Sequence, residues 1–510
     1  MTDTLTPTTV EPRPSTGRQL ARSAAAVASS GLLVGLGAVS AAPAVAAEAT
    51  DCTGPNTVDA STGDETDIQA LLDADTAIVC LQGSFLLTQP LTFDHNLTLF
   101  GLTGAELDGN DLTQLVSGSS SAPLTVQNIS FVDGAVTGDG GAIFSNGQLS
   151  IENSQFSGNT ASNFGGAVFN DSGSTFDIIG STFTNNSAAL GGAVYGDSLI
   201  LEESTFTTNT AQVGGAVFAY AMVAYGSTFT ENESIAGGAI LAENYAAIAG
   251  STFVDNVAES IGGAVATYGA YLGLNSTFVE NSAGDVGGAL FVGYGQLGLS
   301  TFLNNQAGDE TDESDAIFTI GEGEDAFEVA GNIFAGTRSV AQLGSDAPGA
   351  YGDGGGNVFS TAESVESALG TPDPSTQFSR SIASIFGPGA ALADNGGVTE
   401  TVALIAGSPA IDAVPDSTFD VVSTGLTSAA ERLEITPELT AAFTSAVQDQ
   451  RSVVRTGLAD AGAYEYGDAE LAATGADTGT AGWLAAIAAL LLGSGAAVAI
   501  GARRRSRSQR

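Results

Sequence analysis

The chain has 510 residues, with 57 acidic residues against 13 basic ones and a formal net charge of −44 at pH 7. Every basic residue is arginine, and residues 23–337 contain neither Lys nor Arg. A surface this acidic repels phosphate groups, which argues against nucleic acid and anionic lipid surfaces as partners. The hydrophobic fraction of 43% is too high for a disordered chain.

The N-terminal segment has the pattern of an export signal. Three arginines lie within the first 22 residues, and an Ala-rich apolar stretch follows from Ser23 to about Val45. The stretch ends in small residues, Ala44–Ala47, of the kind that signal peptidase accepts. The sequence therefore predicts a secretory signal peptide over residues 1–46. A retained membrane helix is the alternative, and Pro43 opposes it by interrupting the apolar run.

The two cysteines, Cys52 and Cys80, are the only ones in the chain. In an exported protein such a pair predicts one disulfide, with two free thiols as the alternative. Short strand-like runs such as Leu97–Phe100 and Leu124–Val126 follow, so residues 51–130 are expected to form an N-terminal cap and the first coils. The disulfide would then staple two stacked coils. His95, the only histidine, lies in a strand-like run, where a structural role is expected.

Two motifs recur in phase through the central part of the chain. Gly-Gly-Ala followed by an aliphatic residue begins at Gly140, Gly165, Gly191, Gly214, Gly237, Gly262 and Gly287. A Phe-x-x-Asn motif keeps pace, with its aromatic residues at Phe156, Phe183, Phe206, Phe229, Phe253, Phe278 and Phe302. Its amides are Asn159, Asn186, Asn209, Asn232, Asn256, Asn281 and Asn305. Successive glycine pairs are 25, 26, 23, 23, 25 and 25 residues apart, a period typical of a solenoid.

Short β-prone runs separate the motifs, and no helical 3.6-residue spacing persists. The pattern predicts an all-β fold: a right-handed parallel β-helix over residues 131–370, with each repeat forming one coil. The Phe side chains are expected to stack as an interior column. The Asn side chains are expected to hydrogen-bond to their counterparts above and below, forming a ladder. The paired glycines permit a tight turn or a positive φ.

The combination of Gly-Gly-Ala-aliphatic with Phe-x-x-Asn resembles the polymorphic outer membrane protein repeat over residues 128–310. The early coils are similar to the pectin-lyase-like β-helix superfamily. The first resemblance implies a surface-displayed β-helix, and some members of that family act as adhesins. Because the C-terminal part of this chain resembles a different type of anchor, described below, the outer-membrane location is not carried over.

Residues 371–466 are expected to form C-terminal coils that resemble the choice-of-anchor region of bacterial surface β-helices. The matching stretches include 393–397, 407–412 and 449–451, with Gly462-Ala463-Tyr464-Glu465 closing the region. Arg451 and Arg455 are among the few cations here. Their expected role is structural pairing with nearby carboxylates where the last coil closes.

Residues 467–510 contain an ordered set of three features. Leu471-Ala472-Ala473-Thr474-Gly475 is followed by an apolar run over 482–502, and five arginines complete the chain. The run is long enough to span a bilayer as a helix, and the arginines would hold the tail on the cytoplasmic side. The set resembles a sortase sorting signal of the LAxTG type. That resemblance implies cleavage between Thr474 and Gly475 and covalent attachment of Thr474 to peptidoglycan, with sortase and peptidoglycan as partners. A plain C-terminal membrane anchor is the alternative.

No motif for catalysis, phosphate binding or metal binding is present, and no cofactor is expected. Calcium at acidic loops is conceivable from the charge, but no calcium-loop motif supports it. The leading hypothesis is a non-catalytic surface protein that serves adhesion or envelope interaction and binds an unidentified glycan or protein. The membrane is contacted only through the C-terminal helix before sorting. The alternative is a carbohydrate-active β-helix enzyme, a hydrolase or lyase. A trio of carboxylates on adjacent coils would favour that alternative.

Overall fold

The computed structural model describes residues 52, 54–118, 121–308, 314–321, 327–337, 342–345, 350–360, 368–369, 372–415, 449–451 and 459–466. These residues form an all-β parallel solenoid of about 11 turns, which confirms the all-β, parallel β-helix part of the predicted fold class. The predicted signal peptide, the sorting signal with its five residues Leu471–Gly475, and the helix over 482–502 lie outside the described residues. Within the described part of the chain, no helix is long and apolar enough to cross a membrane.

Three parallel sheets form the walls of the solenoid. The first, called here the phenylalanine sheet, has 12 short strands: Ser84–Leu86, Glu106–Asp108, Ser130–Val132, Gln155–Ser157, Thr182–Thr184, Thr205–Thr207, Thr228–Thr230, Thr252–Val254, Thr277–Val279, Thr301–Leu303, Ile333–Ala335 and Val358–Phe359. The second, the short sheet, has eight: Ala135–Val136, Thr160–Ala161, Ser187–Leu190, Thr210–Val213, Glu233–Ala236, Val257–Ile261, Ser282–Ala283 and Gln306–Ala307.

The third wall, the large sheet, has 20 strands. They are Thr57–Asp59, Ile78–Gln82, Leu91–Phe93, Leu97–Gly101, Val116–Gly118, Leu124–Gln127, Ile143–Ser145, Leu149–Glu152, Val168–Ile179, Val194–Glu202, Val217–Tyr225, Ile240–Ala249, Val265–Thr267, Ala270–Leu274, Leu290–Val292, Tyr294–Gly298, Ile317–Thr319, Phe327–Ala330, Leu343–Ser345 and Tyr351–Gly355. In four of these strands, between residues 168 and 249, two runs that are separate in other coils join into one long strand.

The coil that begins at Gly191 shows the path of the chain. After the glycine turn, the strand Val194–Glu202 crosses the large sheet, and Thr205–Thr207 crosses the phenylalanine sheet. Asn209 lies at the next bend, and Thr210–Val213 crosses the short sheet before the next glycine pair. In Thr205–Thr207 the two Thr side chains are partly exposed and the Phe between them is buried. This alternation lets one short strand supply both core and surface.

The N-terminal end is closed by a helix and a disulfide. The helix Glu65–Leu72 starts at a capping box on Asp64 and buries Ile68 and Leu72 against the solenoid core. Cys52 and Cys80 are bonded, as predicted, with their Cα atoms 5.7 Å apart. Covering the first coil protects the edge that a parallel stack would otherwise expose.

At the other end the stack stops earlier than the sequence predicts. Gln377 makes a parallel bridge to Val358, and the Phe378 ring stacks on Phe359 at 5.5 Å. Beyond them, the described residues among 381–415, 449–451 and 459–466, called here the C-terminal segment, lie against the outside of the later coils instead of continuing the stack. The segment contains the helix Ile382–Ile385 and an antiparallel pair, Leu392–Ala393 with Thr401–Val402.

Candidate functional site

The seven Phe residues of the repeat line the interior as one column. From Phe156 to Phe302, successive ring centroids lie 4.6 to 5.0 Å apart and the rings are nearly parallel. Each side chain is at most 1% exposed. Phe131 extends the column at one end, and Phe334 and Phe359 extend it at the other. Because solvent does not reach these rings, their role is in packing and not in binding a ligand.

The seven Asn residues form a buried ladder at the bend after the phenylalanine sheet. From Asn159 to Asn281, the Nδ2 group of each donates to Oδ1 of the next at 2.9 to 3.0 Å. The same Nδ2 group donates to a Phe carbonyl of the preceding coil, as Asn209 does to Phe183. Oδ1 also accepts the backbone N–H of the preceding ladder residue, as Asn232 does from Asn209. The amides are therefore satisfied within the fold.

A second polar column was not predicted. At the bend before the phenylalanine sheet, each serine donates its hydroxyl to the carbonyl two residues earlier, as Ser204 does to Glu202. Its Oγ accepts the N–H of the serine in the preceding coil, as Ser204 does from Ser181 at 3.2 Å. The column comprises Ser154, Ser181, Ser204, Ser227, Ser251, Ser276 and Ser300. This column could have been predicted from the Ser-Thr pair that precedes most Phe residues of the interior column.

The outer side of the coils between residues 149 and 202 carries a concentration of carboxylates, which we call the acidic face. Its members are Glu152, Asp171, Asp177, Asp197 and Glu202. In the strand Val194–Glu202, inward residues such as Leu199 and Leu201 are buried, whereas Asp197 and Glu202 point outward and are half-buried. The strand period of two therefore places carboxylates on one side and the core on the other.

Three of these carboxylates lie on adjacent coils. In the register of the large sheet, Asp177 lies opposite Ser150 of one neighbouring strand and Ile200 of the other. Ile179, two residues further along the same strand, lies opposite Glu152 and Glu202. Asp177 is thus the diagonal neighbour of both glutamates, at a spacing of roughly 7–8 Å. Burial, with the charge of Glu152 as a second cause, raises the pKa of Asp177 to about 6. Burial, followed by the charge of Asp177, also raises the pKa of Glu202.

The other end of the acidic face surrounds an aromatic ring. Burial raises the pKa of Asp197, and the neighbouring Asp171 raises it further through its charge and a side-chain hydrogen bond. Burial and several carboxylates, Asp171 and Asp197 first among them, raise the pKa of Tyr195 to about 12. The Tyr195 ring stacks between Phe169 and Phe218 at 5.3 and 5.2 Å. Phe169 and Phe218 are buried and Tyr195 is half-buried, so Tyr195 is the ring of this stack that reaches solvent in part.

The chemistry available on the acidic face follows from charge. No Lys or Arg occurs among residues 23–337, so no side-chain cation of these coils offsets the carboxylates. A face of this kind attracts cations and positively charged polymers, and its half-buried carboxyl groups can accept and donate hydrogen bonds. A protonated carboxyl group beside an ionised one is also the pair that glycosidic hydrolysis uses.

Arg451 is buried in the C-terminal segment. Its Nη2 lies 2.6 Å from Oδ2 of Asp449, and its guanidinium lies 3.8 Å from the centroid of the Tyr464 ring. The role is structural, as expected, although the pair joins pieces of the C-terminal segment and not a last coil. Arg455 lies outside the described residues. Gln450 next to this pair donates to Thr252 and accepts from Thr277, which fixes the segment to two coils.

Among the described residues, one group of side chains brings at least three metal-ligating atoms together: Asp75, Asp94 and His95. It lies near the N-terminal cap and away from the acidic face. The sequence interpretation gave His95 a structural role and did not connect it with the two aspartates, which belong to different coils.

Comparison with known families supports the interpretation of the repeat. The model of the Chlamydia polymorphic membrane protein repeat matches residues 153–171 and 180–197. These stretches contain two copies of the Phe-x-x-Asn motif and include Asp171 and Asp197 of the acidic face. The chain is therefore a β-helix with repeats of this type. Searches of the curated proteins and of the solved structures found no match.

Proposed function

We propose that this chain is a wall-linked surface protein whose solenoid serves adhesion or envelope interaction without catalysis. The polymorphic membrane protein type of repeat supports surface display. The N-terminal export pattern and the Leu471–Gly475 pentapeptide with its apolar run and basic tail support export followed by sorting. In this scheme Thr474 becomes linked to peptidoglycan, and the cleaved C-terminal helix is the only part that enters the membrane.

The observation that carries the binding role is the acidic face. It extends over three coils and combines exposed and half-buried carboxylates with the half-buried Tyr195 ring, so it suits an extended polymer better than a small molecule. Its charge favours a partner that is neutral or positively charged, either a glycan or a protein segment. The Asn ladder and the serine column hold these coils in fixed register, which keeps the face preorganised for binding.

Binding by the acidic face can be tested on immobilised polysaccharides and basic proteins. We expect the double variant Asp171→Asn, Asp197→Asn to bind a positively charged partner at least about tenfold more weakly than wild type, with the difference falling as salt rises. Glu259→Gln is the matched control, because Glu259 is exposed on the short sheet, away from this face. Equal binding by the double variant and the control would remove the acidic face from the proposal.

A second candidate function, polysaccharide hydrolysis, is favoured by the Glu152, Asp177 and Glu202 trio. Asp177 has a pKa of about 6, and the glutamates lie diagonally on either side of it. A carboxyl group with such a pKa can serve as a general acid beside an ionised partner. Incubation with a polysaccharide panel discriminates the two candidates. Release of reducing ends by the wild type, lost in Asp177→Asn and kept in Glu259→Gln, would overturn the non-catalytic proposal.

A further inference from the structure

The loops of the first coils bring three potential metal ligands to one place. Asp75 lies between the helix Glu65–Leu72 and the strand Ile78–Gln82. Asp94 and His95 lie just before the strand Leu97–Gly101, which pairs in parallel with Ile78–Gln82. One ligand atom from each residue can be chosen so that all three atoms lie within 4.8 Å of one another. The stacking of two coils therefore creates the cluster.

The orientation of the imidazole is fixed by a backbone carbonyl. Nε2 of His95 lies 3.2 Å from the Thr76 carbonyl oxygen, a group that can only accept. Nε2 therefore carries the proton in this contact, and in the neutral ring Nδ1 carries a lone pair. A histidine that binds a metal ordinarily donates its other N–H to such a carbonyl or to a carboxylate, which orients the ring.

Nδ1 faces the two aspartates without forming a hydrogen bond. It lies 3.6 Å from Oδ1 of Asp75 and 3.7 Å from Oδ1 of Asp94. The atom is buried and has no hydrogen-bond partner, although the His95 side chain as a whole is 15% exposed. Ligands about 2.0–2.1 Å from a tetrahedral ion lie roughly 3.3–3.4 Å from one another. The two Nδ1–Oδ1 separations are a few tenths of an ångström longer, and the ligand oxygens of the two aspartates lie within 4.8 Å of each other, so an inward shift of the carboxylates would complete the site.

We propose that Asp75, Asp94 and His95 bind a divalent transition-metal ion, with Zn²⁺ as the best match, at the junction of the N-terminal cap and the next coil. One imidazole nitrogen and two carboxylate oxygens form a ligand set that suits Zn²⁺ and leaves a fourth position for water. The aspartate side chains are 79% and 74% exposed, so an ion can enter from solvent. Bound there, the ion joins the same two coils as the strand pairing beside it and acts as a second staple besides the disulfide.

The test uses the full chain purified without a histidine tag, so that His95 is the only imidazole in the sample. With ¹³C-labelled histidine, titration with ZnCl₂ should shift the single imidazole signal, and the shift should saturate at one equivalent. Competition with a chromophoric chelator then gives the affinity of each variant. We expect His95→Gln to abolish this binding, and Asp94→Asn or Asp75→Asn to weaken it at least about tenfold.

Asp73→Asn provides the matched control, because Asp73 lies close by and accepts a hydrogen bond from Gln69 but does not belong to the cluster. It should bind Zn²⁺ like the wild type, and circular dichroism should show that every variant is folded. The proposal is overturned if Zn²⁺ leaves the imidazole signal in place. It is also overturned if folded Asp94→Asn and Asp75→Asn bind Zn²⁺ as tightly as Asp73→Asn, because the two aspartates would then not be ligands.

Discussion

The second glycine of each pair is required by the closeness of neighbouring coils, and Gly238→Ala tests this directly. A Cβ at Gly238 would lie 1.9 Å from the carbonyl oxygen of Gly263 and 2.8 Å from backbone atoms of Val257. The φ of Gly238 is not in the left-handed region, so alanine can adopt the local conformation and the expected effect is steric. The obstacle is backbone, which cannot rotate away as a side chain would.

The magnitude follows from the stacking geometry. To reach ordinary contact at 3.4 Å, the coils must separate locally by about 1.5 Å out of a spacing of roughly 4.8 Å. That movement strains the bonds from Gly237 N–H to Ile261 and from Gly238 N–H to Gly262, which are 2.9 and 3.0 Å long. Overpacking costs about 1–3 kcal/mol, and each weakened bond adds about 0.5–1.5 kcal/mol. We expect the free energy of unfolding to fall by about 2–6 kcal/mol.

Denaturant unfolding measures the loss in the free energy of unfolding. Hydrogen exchange should show reduced protection in the coils adjoining residues 237–263, because solenoid coils contact only their neighbours. Gly389→Ala is the control, since a Cβ there meets nothing within 4 Å and the φ of Gly389 lies outside the left-handed region. A Gly238→Ala protein as stable as the Gly389→Ala protein would refute the idea that coil spacing demands glycine.

Three further perturbations test other parts of the structure. Asn232→Leu removes the Oδ1 atom that accepts from the buried N–H and Nδ2 groups of Asn209, and should lower the unfolding free energy by about 2–4 kcal/mol in denaturant titrations. An unchanged midpoint would contradict the role of the ladder in stability. The raised pKa of Asp177 means that its protonation stabilises the fold below about pH 4, and this contribution is lost as pH rises through about 6. Asp177→Asn should therefore flatten the pH dependence of the melting temperature between about pH 4 and about pH 6. An unaltered profile would show that burial does not raise the pKa of Asp177. Arg451→Met removes the guanidinium that neutralises the buried Asp449, at a cost of about 3–5 kcal/mol, and should make the C-terminal segment sensitive to limited proteolysis while the coils stay resistant. Equal resistance of the segment would contradict the role of the pair.

Local periodicity was enough to predict the coil, its Phe column and its Asn ladder, because these depend on contacts between equivalent residues one period apart. The serine column obeys the same rule but was missed, since Ser204 resembles an ordinary turn residue until its Oγ is seen to accept from Ser181.

The features that could not be predicted depend on contacts without a period. Gln450 reaches Thr252, which is 198 residues earlier in the chain, and no local pattern indicates that the C-terminal segment returns to the outside of the coils. The Glu152, Asp177 and Glu202 trio depends on strand register, which includes an irregularity between Asn170 and Thr175. The cluster around His95 likewise requires two coils in their correct stacking, since its aspartates are 19 residues apart in the sequence.

Covalent attachment to the cell wall is tested most directly by the fate of a Thr474→Ala chain. Cells that produce the wild-type chain would be extracted with hot detergent, and the remaining walls digested with a peptidoglycan hydrolase. We predict that the wild-type chain leaves the wall only on digestion and carries peptidoglycan fragments detectable by mass spectrometry on Thr474. The Thr474→Ala chain should be extracted by detergent together with the membrane. A Thr474→Ala chain as resistant to detergent as the wild type would contradict sortase linkage.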